Sequence, residues 1–255
     1  VLTAFTIWRA ISSRKVFRMA GIFSLAALLA GCGSSNKPDT KKSAGVMTYA
    51  EYMAAAIDDQ VVIEAYVQGA QAYSAEYGNT SLYLQDADGG YFVYRIACTE
   101  SEYKQFTTGA KLKITGYKSE WAGEVEIIDA TFEVEKGSYT AKAVDVTSQL
   151  GTDGLQASMN TLVSFKGLTV EAADDSGAAY LYNWDGSGTQ GDDLYFNVSL
   201  NGQTYSFTVE SDLCDSSTAV YKAVEGLSVG DTVDLEGFLY WYEGPNPHIT
   251  SVTVK

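Results

Sequence analysis

Residues 82–94 read Leu-Tyr-Leu-Gln-Asp-Ala-Asp-Gly-Gly-Tyr-Phe-Val-Tyr, and this stretch decides the fold. Two runs rich in aromatic and aliphatic residues flank Asp88-Gly89-Gly90, which is the kind of turn that a tight β-hairpin needs. Short β-rich runs continue on both sides of this hairpin, and helical periodicity is rare. Residues 47–137 are therefore predicted to form a small all-β unit.

The strands of this unit are separated by turn signals. They are predicted at residues 61–73, 82–86, 91–97, 112–117 and 125–134. Between the third and fourth strands, Thr99 and Glu102 have the spacing of a capping box, in which the side chain of each residue accepts a hydrogen bond from the backbone N–H of the other. This pair predicts a short helix at that point.

The same order of elements recurs after residue 160. Strands are predicted at 162–173, 194–200, 203–210, 232–242 and 248–254, with a helix at 217–224. Gly116-Tyr117 in the first copy matches Gly237-Phe238 in the second, and Trp121 matches Trp241. At the second strand the offset between the copies is about 112 residues, largely because residues 174–193 are an insertion in the second copy.

Three strands, a short helix and two more strands is the order of an oligonucleotide/oligosaccharide-binding (OB) barrel. The chain resembles the OB-type domains of bacterial surface lipoproteins, a family of domains of unknown function. The segments that carry the resemblance are 82–86 with 89–94, 109–116, 230–237 and 242–249. We predict a mainly all-β protein of two tandem five-stranded OB-type barrels at 47–137 and 161–255, joined by a linker or short helix at 138–160, each barrel having a short helix between strands 3 and 4.

A targeting segment precedes the barrels. Four basic residues in 9–18 are followed by an apolar run at 19–30 that is too short to cross a bilayer as a helix, which is typical of a secretory signal. The run ends in Leu29-Ala30-Gly31-Cys32, which resembles the lipobox of bacterial lipoproteins. The resemblance implies a signal peptide at 1–32, acylation of Cys32, a flexible linker at 33–46, and a lipid-anchored protein outside the cytoplasm, in the cell membrane or outer envelope. The alternative is an ordinary secretory signal with an unrelated cysteine.

The net charge is strongly negative. The whole chain has 17 basic and 32 acidic residues, and leaving out the four basic residues before Cys32 gives a formal −19 for the remainder. A negative field repels phosphate backbones, so nucleic acid is predicted to be an unlikely partner.

Aromatic residues are the best functional signal, because OB barrels bind ligands on strands 2 and 3 and on the loops joining strands 1–2 and 4–5. Aromatic rings stack on sugars or bases, although tyrosines also fill half-buried strand positions. It is open whether Phe92 and Tyr94 or Tyr91 and Val93 face outward. The candidate ligand-binding residues are Tyr77, Tyr83, Tyr94, Trp121, Tyr182, Trp184, Tyr240, Trp241 and Tyr242.

Three other groups of residues are weaker candidates for a functional site. The acidic insertion at 174–193 favours a solvated loop over a calcium site, because the spacing of an EF-hand is not met. Cys98 and Cys214 are predicted to be buried free thiols, with a disulfide as the alternative. Glu124 and Glu126 alternate on a strand and are predicted to be solvated.

No arrangement of residues points to catalysis. The chain has one histidine and no nucleophile, phosphate-loop or zinc-hydrolase motif, so we predict no enzyme, no cofactor and no metal. The main functional hypothesis is a lipid-anchored binding module for a carbohydrate or an envelope protein. The alternatives are a structural spacer or assembly subunit without a small ligand, and, less favoured, a single-stranded nucleic-acid-binding protein.

Overall fold

The computed structural model describes residues 37–255, which fold mainly into β-strands. The first half contains α1 (Tyr49–Ala54), β1 (Gln60–Ala70), β2 (Asn79–Gln85), β3 (Gly90–Ala97), α2 (Glu100–Tyr103), β4 (Ala110–Trp121) and β5 (Glu124–Ser138). The second half contains β6 (Val144–Asp145), 3-10 helices at Thr147–Gln149 and Asp153–Ser158, β7 (Leu162–Glu171), β8 (Leu181–Tyr182), β9 (Leu194–Leu200), β10 (Gln203–Val209), α3 (Ala219–Glu225), β11 (Thr232–Phe238) and β12 (His248–Val254).

The first five strands form a closed barrel in the order β1-β2-β3-β5-β4. Antiparallel pairing of β1 with β4 closes it, and β3 runs parallel to β5. The second barrel repeats this order as β7-β9-β10-β12-β11, with β10 parallel to β12. Short strands β6 and β8 extend it beside β7 and β9. The predicted fold class, two tandem five-stranded OB-type barrels, is confirmed.

Each barrel encloses its own hydrophobic core. Val61, Leu82 and Ile114 lie in the first core, and Phe165, Phe196 and Leu235 lie in the second, all without exposed surface. Alternation along β11 places Val233 and Leu235 inside the barrel and Phe238 outside it. Gly237 is needed at the inward bend, because a Cβ there would lie 2.2 Å from the His248 carbonyl oxygen.

Both predicted helices form, and α1 precedes them; each of the three begins at a capping threonine. Thr99 and Glu102 make both hydrogen bonds of the capping box at α2, and Thr48 with Glu51 does the same at α1. Thr218 caps α3 through its side chain. Across residues 37–255, no helix combines the length and the apolar composition that a bilayer crossing demands.

Residues 37–47 lie along the first barrel. The Lys42 ammonium donates to the Glu64 carbonyl and pairs with Asp86, and the Met47 N–H donates to the Val62 carbonyl. The predicted signal peptide at 1–32 and the acylated Cys32 lie outside the described residues, as do residues 33–36 of the predicted linker.

Candidate ligand-binding surface

The outer face of β2 and β3 in the first barrel is covered by the second barrel. Tyr83 and Phe92 project from this face, and both are buried together with Phe238 of β11. The Tyr83 and Phe238 rings stack with centroids 4.3 Å apart and an interplanar angle of 5°. We call this contact surface between the two barrels the seam.

His248 completes the buried centre of the seam. Its Nδ1 lies 2.9 Å from the Tyr83 hydroxyl, and its ring stacks on Tyr240 at 4.4 Å. Burial lowers the pKa of His248 to about 3, so the imidazole is neutral at physiological pH. The seam therefore holds a packed aromatic cluster with one neutral polar pair.

The β4–β5 loop of the first barrel meets the equivalent β11–β12 loop of the second. The backbone N–H of Trp241 donates to Glu124 Oε2 over 2.9 Å, and the backbone N–H of Glu243 donates to the Ala122 carbonyl over 2.7 Å. Gly123 is required where the loops touch, because a Cβ there would lie 2.8 Å from the Trp241 ring. The two loops that an OB barrel would offer to a ligand here contact one another.

Glu124 and Glu126 are buried, at 0% and 1% exposure, so the prediction of a solvated pair is wrong. Alternation correctly places both outside the first barrel, beside Phe92, but the second barrel covers that side. Burial raises the pKa of Glu124 to about 8, against the lowering effect of hydrogen bonds from Asn160 and the Trp241 N–H.

A second buried carboxyl group lies at the other side of the seam. Gln71 of the first barrel donates to Glu210 Oε1 over 2.6 Å, while Glu210 Oε2 lies 3.9 Å from His248 Nδ1 and accepts no hydrogen bond. Burial, and then the charge of Asp193, raises the pKa of Glu210 to about 8. The seam thus contains two carboxyl groups that are easier to protonate than ordinary glutamates.

The equivalent outer face of the second barrel is only partly exposed, because Thr208 on β10 is 1% exposed and donates to Asn246 of the β11–β12 loop. At the offset of about 112 residues between the copies, Tyr195 on β9 is the counterpart of Tyr83. Tyr195 is half-buried and pairs across the strands with Thr208, whereas Tyr83 pairs with Phe92. Burial, and then the charges of Asp193 and Glu210, raises the pKa of Tyr195 to about 12.

Two other aromatic rings of the second barrel are exposed. Tyr242, in the β11–β12 loop, is 36% exposed and close enough to Tyr195 to influence its ionisation. Trp184, in the loop between β8 and β9, is 66% exposed, whereas Tyr182 beside it packs on the core and donates to Glu225. We call the partly exposed surface of Tyr195 and Tyr242, with strands β9 and β10, the open face.

The acidic insertion forms turns closed by its own side chains. Asp174 accepts from Ser176, Asp185 accepts from the Ser187 N–H, and Asp193 accepts from both the N–H and the hydroxyl of Ser211. In the part of the chain that the structure describes, no group of three or more His, Cys, Asp or Glu residues is arranged around a metal position. Cys98 and Cys214 are buried and free, as predicted.

The edge of β3 resolves the open question of which residues face outward. Thr80 pairs with Ile96 and Leu82 pairs with Val93, so Tyr94 and Arg95 together oppose the single residue Ser81. This β-bulge turns both side chains outward, while Tyr91, Val93 and Ile96 enter the core.

The candidate residues therefore divide by location. Tyr83, Tyr94, Tyr240 and Trp241 contribute to the seam, Trp121 ends β4 next to it, and Tyr182 covers the second core. Tyr77, Trp184 and Tyr242 are exposed. Tyr195, which the sequence places among the aromatic residues of the second barrel's binding strands and loops, is half-buried. Arg95 is absent from the predicted set, and no sequence signal marks the bulge there.

No protein-family model and no curated protein matches the chain. Solved structures that are similar include the Ifi202 HINa domain in complex with 20-bp double-stranded DNA, at 13% identity and a TM-score of 0.35, covering 77% of this chain and 98% of that one. A replication protein A heterotrimer bound to single-stranded DNA matches at 14% identity and a TM-score of 0.33, covering 77% and 49% of the two chains. A murine DNA-binding protein bound to double-stranded DNA matches at 10% identity and a TM-score of 0.35, covering 76% and 94%. Similarity at this level assigns no family and no ligand to this chain.

The prediction that nucleic acid is an unlikely partner nevertheless needs correction. These matches are DNA-bound proteins, and the prediction is not carried further. It rested on the total charge, but charges farther apart than about 8–10 Å are largely screened at physiological salt. The residues within that distance of a ligand decide the electrostatics, and the sum over the chain does not.

Proposed function

We propose that the chain is a non-catalytic binding module and that it binds single-stranded nucleic acid on the open face. The observation that carries the proposal is the Tyr242 ring, 36% exposed and near the half-buried Tyr195 on β9. Bases stack on such rings with little regard to sequence, and OB barrels use these strands and loops for the purpose. The first barrel serves as the support, because its own equivalent face lies within the seam.

The acidic groups near the open face define how the ligand is held. Asp193 lies close enough to Tyr195 to influence its ionisation, and Asp212 lies close to Asp193. Phosphate groups are repelled there, so the ligand contacts the face through its bases and sugars. Binding of this type depends weakly on salt, because few counterions are released.

An uncharged carbohydrate is the second candidate ligand. The same carboxylates that repel phosphate can accept hydrogen bonds from sugar hydroxyls, and tyrosine and tryptophan rings stack on sugar faces. The surface and its aromatic residues are the same in both proposals, so one set of variants tests them together.

The test is fluorescence anisotropy with labelled oligothymidylate and, in parallel, with labelled neutral oligosaccharides. We expect the wild type to bind oligothymidylate and the double variant Tyr195→Ala/Tyr242→Ala to lose at least tenfold in affinity, at about 1–3 kcal/mol per stacked base. Tyr117→Ala is the matched control, since Tyr117 is 42% exposed on β4, away from the open face. Equal losses in the control and the double variant would reject the open face, and oligosaccharide binding alone would favour the second candidate.

We also propose that the protein is tethered outside the cytoplasm by an acylated Cys32, on the strength of the lipobox-like sequence Leu29–Cys32. A single acyl chain holds a protein to a membrane only marginally, whereas two or more hold it durably. Metabolic labelling with a palmitate analogue should mark the wild type and leave Cys32→Ala unmarked. Labelling of Cys32→Ala at the wild-type level would reject the tether.

A further inference from the structure

Arg95 has an unusual position at the edge of the first barrel. It is the only arginine among residues 37–255. Strand alternation would direct it into the core, but the bulge opposite Ser81 turns it outward, where it is exposed. Its φ is +47°, a left-handed conformation that non-glycine residues seldom adopt, and its N–H donates to Ser81 Oγ. Such bulges are found where a side chain is directed to a functional position.

Two tyrosine rings flank the Arg95 guanidinium. Its central carbon lies 5.6 Å from the Tyr77 ring centroid and 5.2 Å from the Tyr94 ring centroid, which is within the range of cation–π contacts. Burial and the charge of Asp193 raise the pKa of Asp212, and the Arg95 guanidinium opposes this rise. Arg95 is thus an exposed side chain whose guanidinium lies beside two aromatic rings.

Arg95 lies near the second barrel. The Ala72 N–H of the first barrel donates to the Asp212 carbonyl over 2.6 Å, and the charges of Arg95 and Asp193 both affect the pKa of Asp212. Asp193 also affects the pKa of Tyr195, so Arg95 and Tyr195 share acidic neighbours.

We propose that Arg95 and Tyr77 bind one nucleotide of the single-stranded nucleic acid, with the phosphate on the guanidinium and the base stacked on the Tyr77 ring. This inference rests on the proposed function and names the anchoring end of the same surface. A guanidinium offers parallel N–H groups that match two phosphate oxygens, which an ammonium cannot do. Tyr77 is 58% exposed, so a base can cover the ring.

The surrounding charges limit the anchor to one phosphate. Asp212 and Asp193 lie on the side of Arg95 towards the second barrel, and Glu76 is next to Tyr77. A second phosphate on that side would meet carboxylates. The ligand is therefore expected to be held by one phosphate at Arg95 and by its bases along the open face.

The test measures binding of labelled oligothymidylate to the full chain, as a function of salt, for wild type, Arg95→Gln, Arg95→Lys and Tyr77→Ala. One lost phosphate contact should change the slope of log affinity against log salt by about 0.7, and Arg95→Gln should weaken binding roughly tenfold or more. Arg95→Lys should keep the slope and lose part of the affinity. Lys136→Gln is the control, because Lys136 is an exposed cation on β5 and its loss changes the total charge equally.

The outcomes separate this inference from the proposed function. If the wild type binds and Arg95→Gln behaves as Lys136→Gln, the anchor is rejected while the open face stands. If the wild type does not bind oligothymidylate at all, the proposed function fails first. Binding of an acidic polysaccharide that depends on Arg95, without oligothymidylate binding, would overturn the assignment of the anchor to a nucleotide.

Discussion

Tyr83 and Tyr195 occupy equivalent positions in the two barrels and have opposite environments. Tyr83 has no exposed surface, stacks on Phe238 and pairs with Phe92, whereas Tyr195 is half-buried and pairs with Thr208. The strand order alone presents both tyrosines on the outside of a barrel. The residue across the strand differs, and an aromatic pair accompanies the face that is covered by protein. The same fold thus gives one face that joins domains and one that stays accessible.

Replacing each of the two tyrosines with alanine tests directly whether their environments differ. Tyr83→Ala should lower the free energy of unfolding by about 3–5 kcal/mol, because it leaves a cavity in a packed aromatic cluster. Tyr195→Ala should cost about 1 kcal/mol or less, since its ring is only partly removed from water. Urea denaturation monitored by circular dichroism measures both. Equal costs would show that the two faces do not differ in packing.

The pH dependence of the free energy of unfolding tests whether Glu124 and Glu210 are buried in the seam. Glu124 and Glu210 have folded pKa values raised to about 8 from 4.5, so the folded state binds more protons than the unfolded state between these values. Their contribution to stability is greatest below about pH 4.5 and is lost as the pH rises towards 8. Glu210→Gln should match the wild type near pH 4.5 and exceed its stability at pH 9 by on the order of 3 kcal/mol.

Glu51→Gln provides a control of opposite sign. Hydrogen bonds from the Thr48 backbone and side chain lower the pKa of Glu51, so this carboxylate stabilises α1 most when it is ionised. The deficit of Glu51→Gln should therefore appear as the pH rises above the ordinary carboxyl range. If Glu210→Gln became less stable than the wild type as the pH rises, as is expected for Glu51→Gln, burial would not destabilise the ionised form of the seam carboxyl groups.

A substitution at a close backbone contact in the seam should lower the free energy of unfolding by a smaller amount. A Cβ at Gly90 would lie 2.3 Å from the Asn160 carbonyl carbon, so Gly90→Ala should force the two parts of the chain apart and cost about 1–3 kcal/mol. Gly154→Ala is the control, because the nearest atom to its Cβ is the Thr152 hydroxyl at 3.5 Å. Thermal unfolding of both variants tests the expectation, which a neutral Gly90→Ala would contradict.

The smallest expected effect comes from removing one hydroxyl group. Tyr83→Phe leaves the buried His248 Nδ1 without its partner at 2.9 Å, at a cost of about 1–2 kcal/mol. Tyr195→Phe should cost less, since its hydroxyl is nearer to solvent on the open face. Chemical denaturation of the two variants in parallel makes the comparison, and a larger loss in Tyr195→Phe would reverse it.

The barrels could be predicted from turns, glycines and alternation, because these features act over a few residues. The capping box of Thr99 and Glu102 specifies local geometry, and it is found as predicted. The covering of the first barrel could not be predicted in this way. Alternation shows that Glu124 and Tyr83 lie outside a barrel, but the identity of what lies against them depends on residues more than a hundred positions away.

The anchor at Arg95 could not be predicted for a different reason. A β-bulge shifts the alternation by one residue, and the bulge arises from how β2 and β3 pair. The sequence around Tyr94 has no glycine that would mark it. Tyr195 is different, because it follows from the repeat once the insertion at 174–193 is allowed for.

The stacked rings of Tyr83 and Phe238 also determine the symmetry of the molecule. Phe238 corresponds to Tyr117 of the first barrel, as Tyr83 corresponds to Tyr195 of the second, so the contact joins unlike surfaces of two similar units. A contact between like surfaces would have covered both OB faces at once. Because the surfaces are unlike, Tyr117 stays 42% exposed and Tyr195 is only half-buried. The Tyr83–Phe238 contact covers the β2–β3 face of the first barrel and leaves the equivalent face of the second barrel partly exposed.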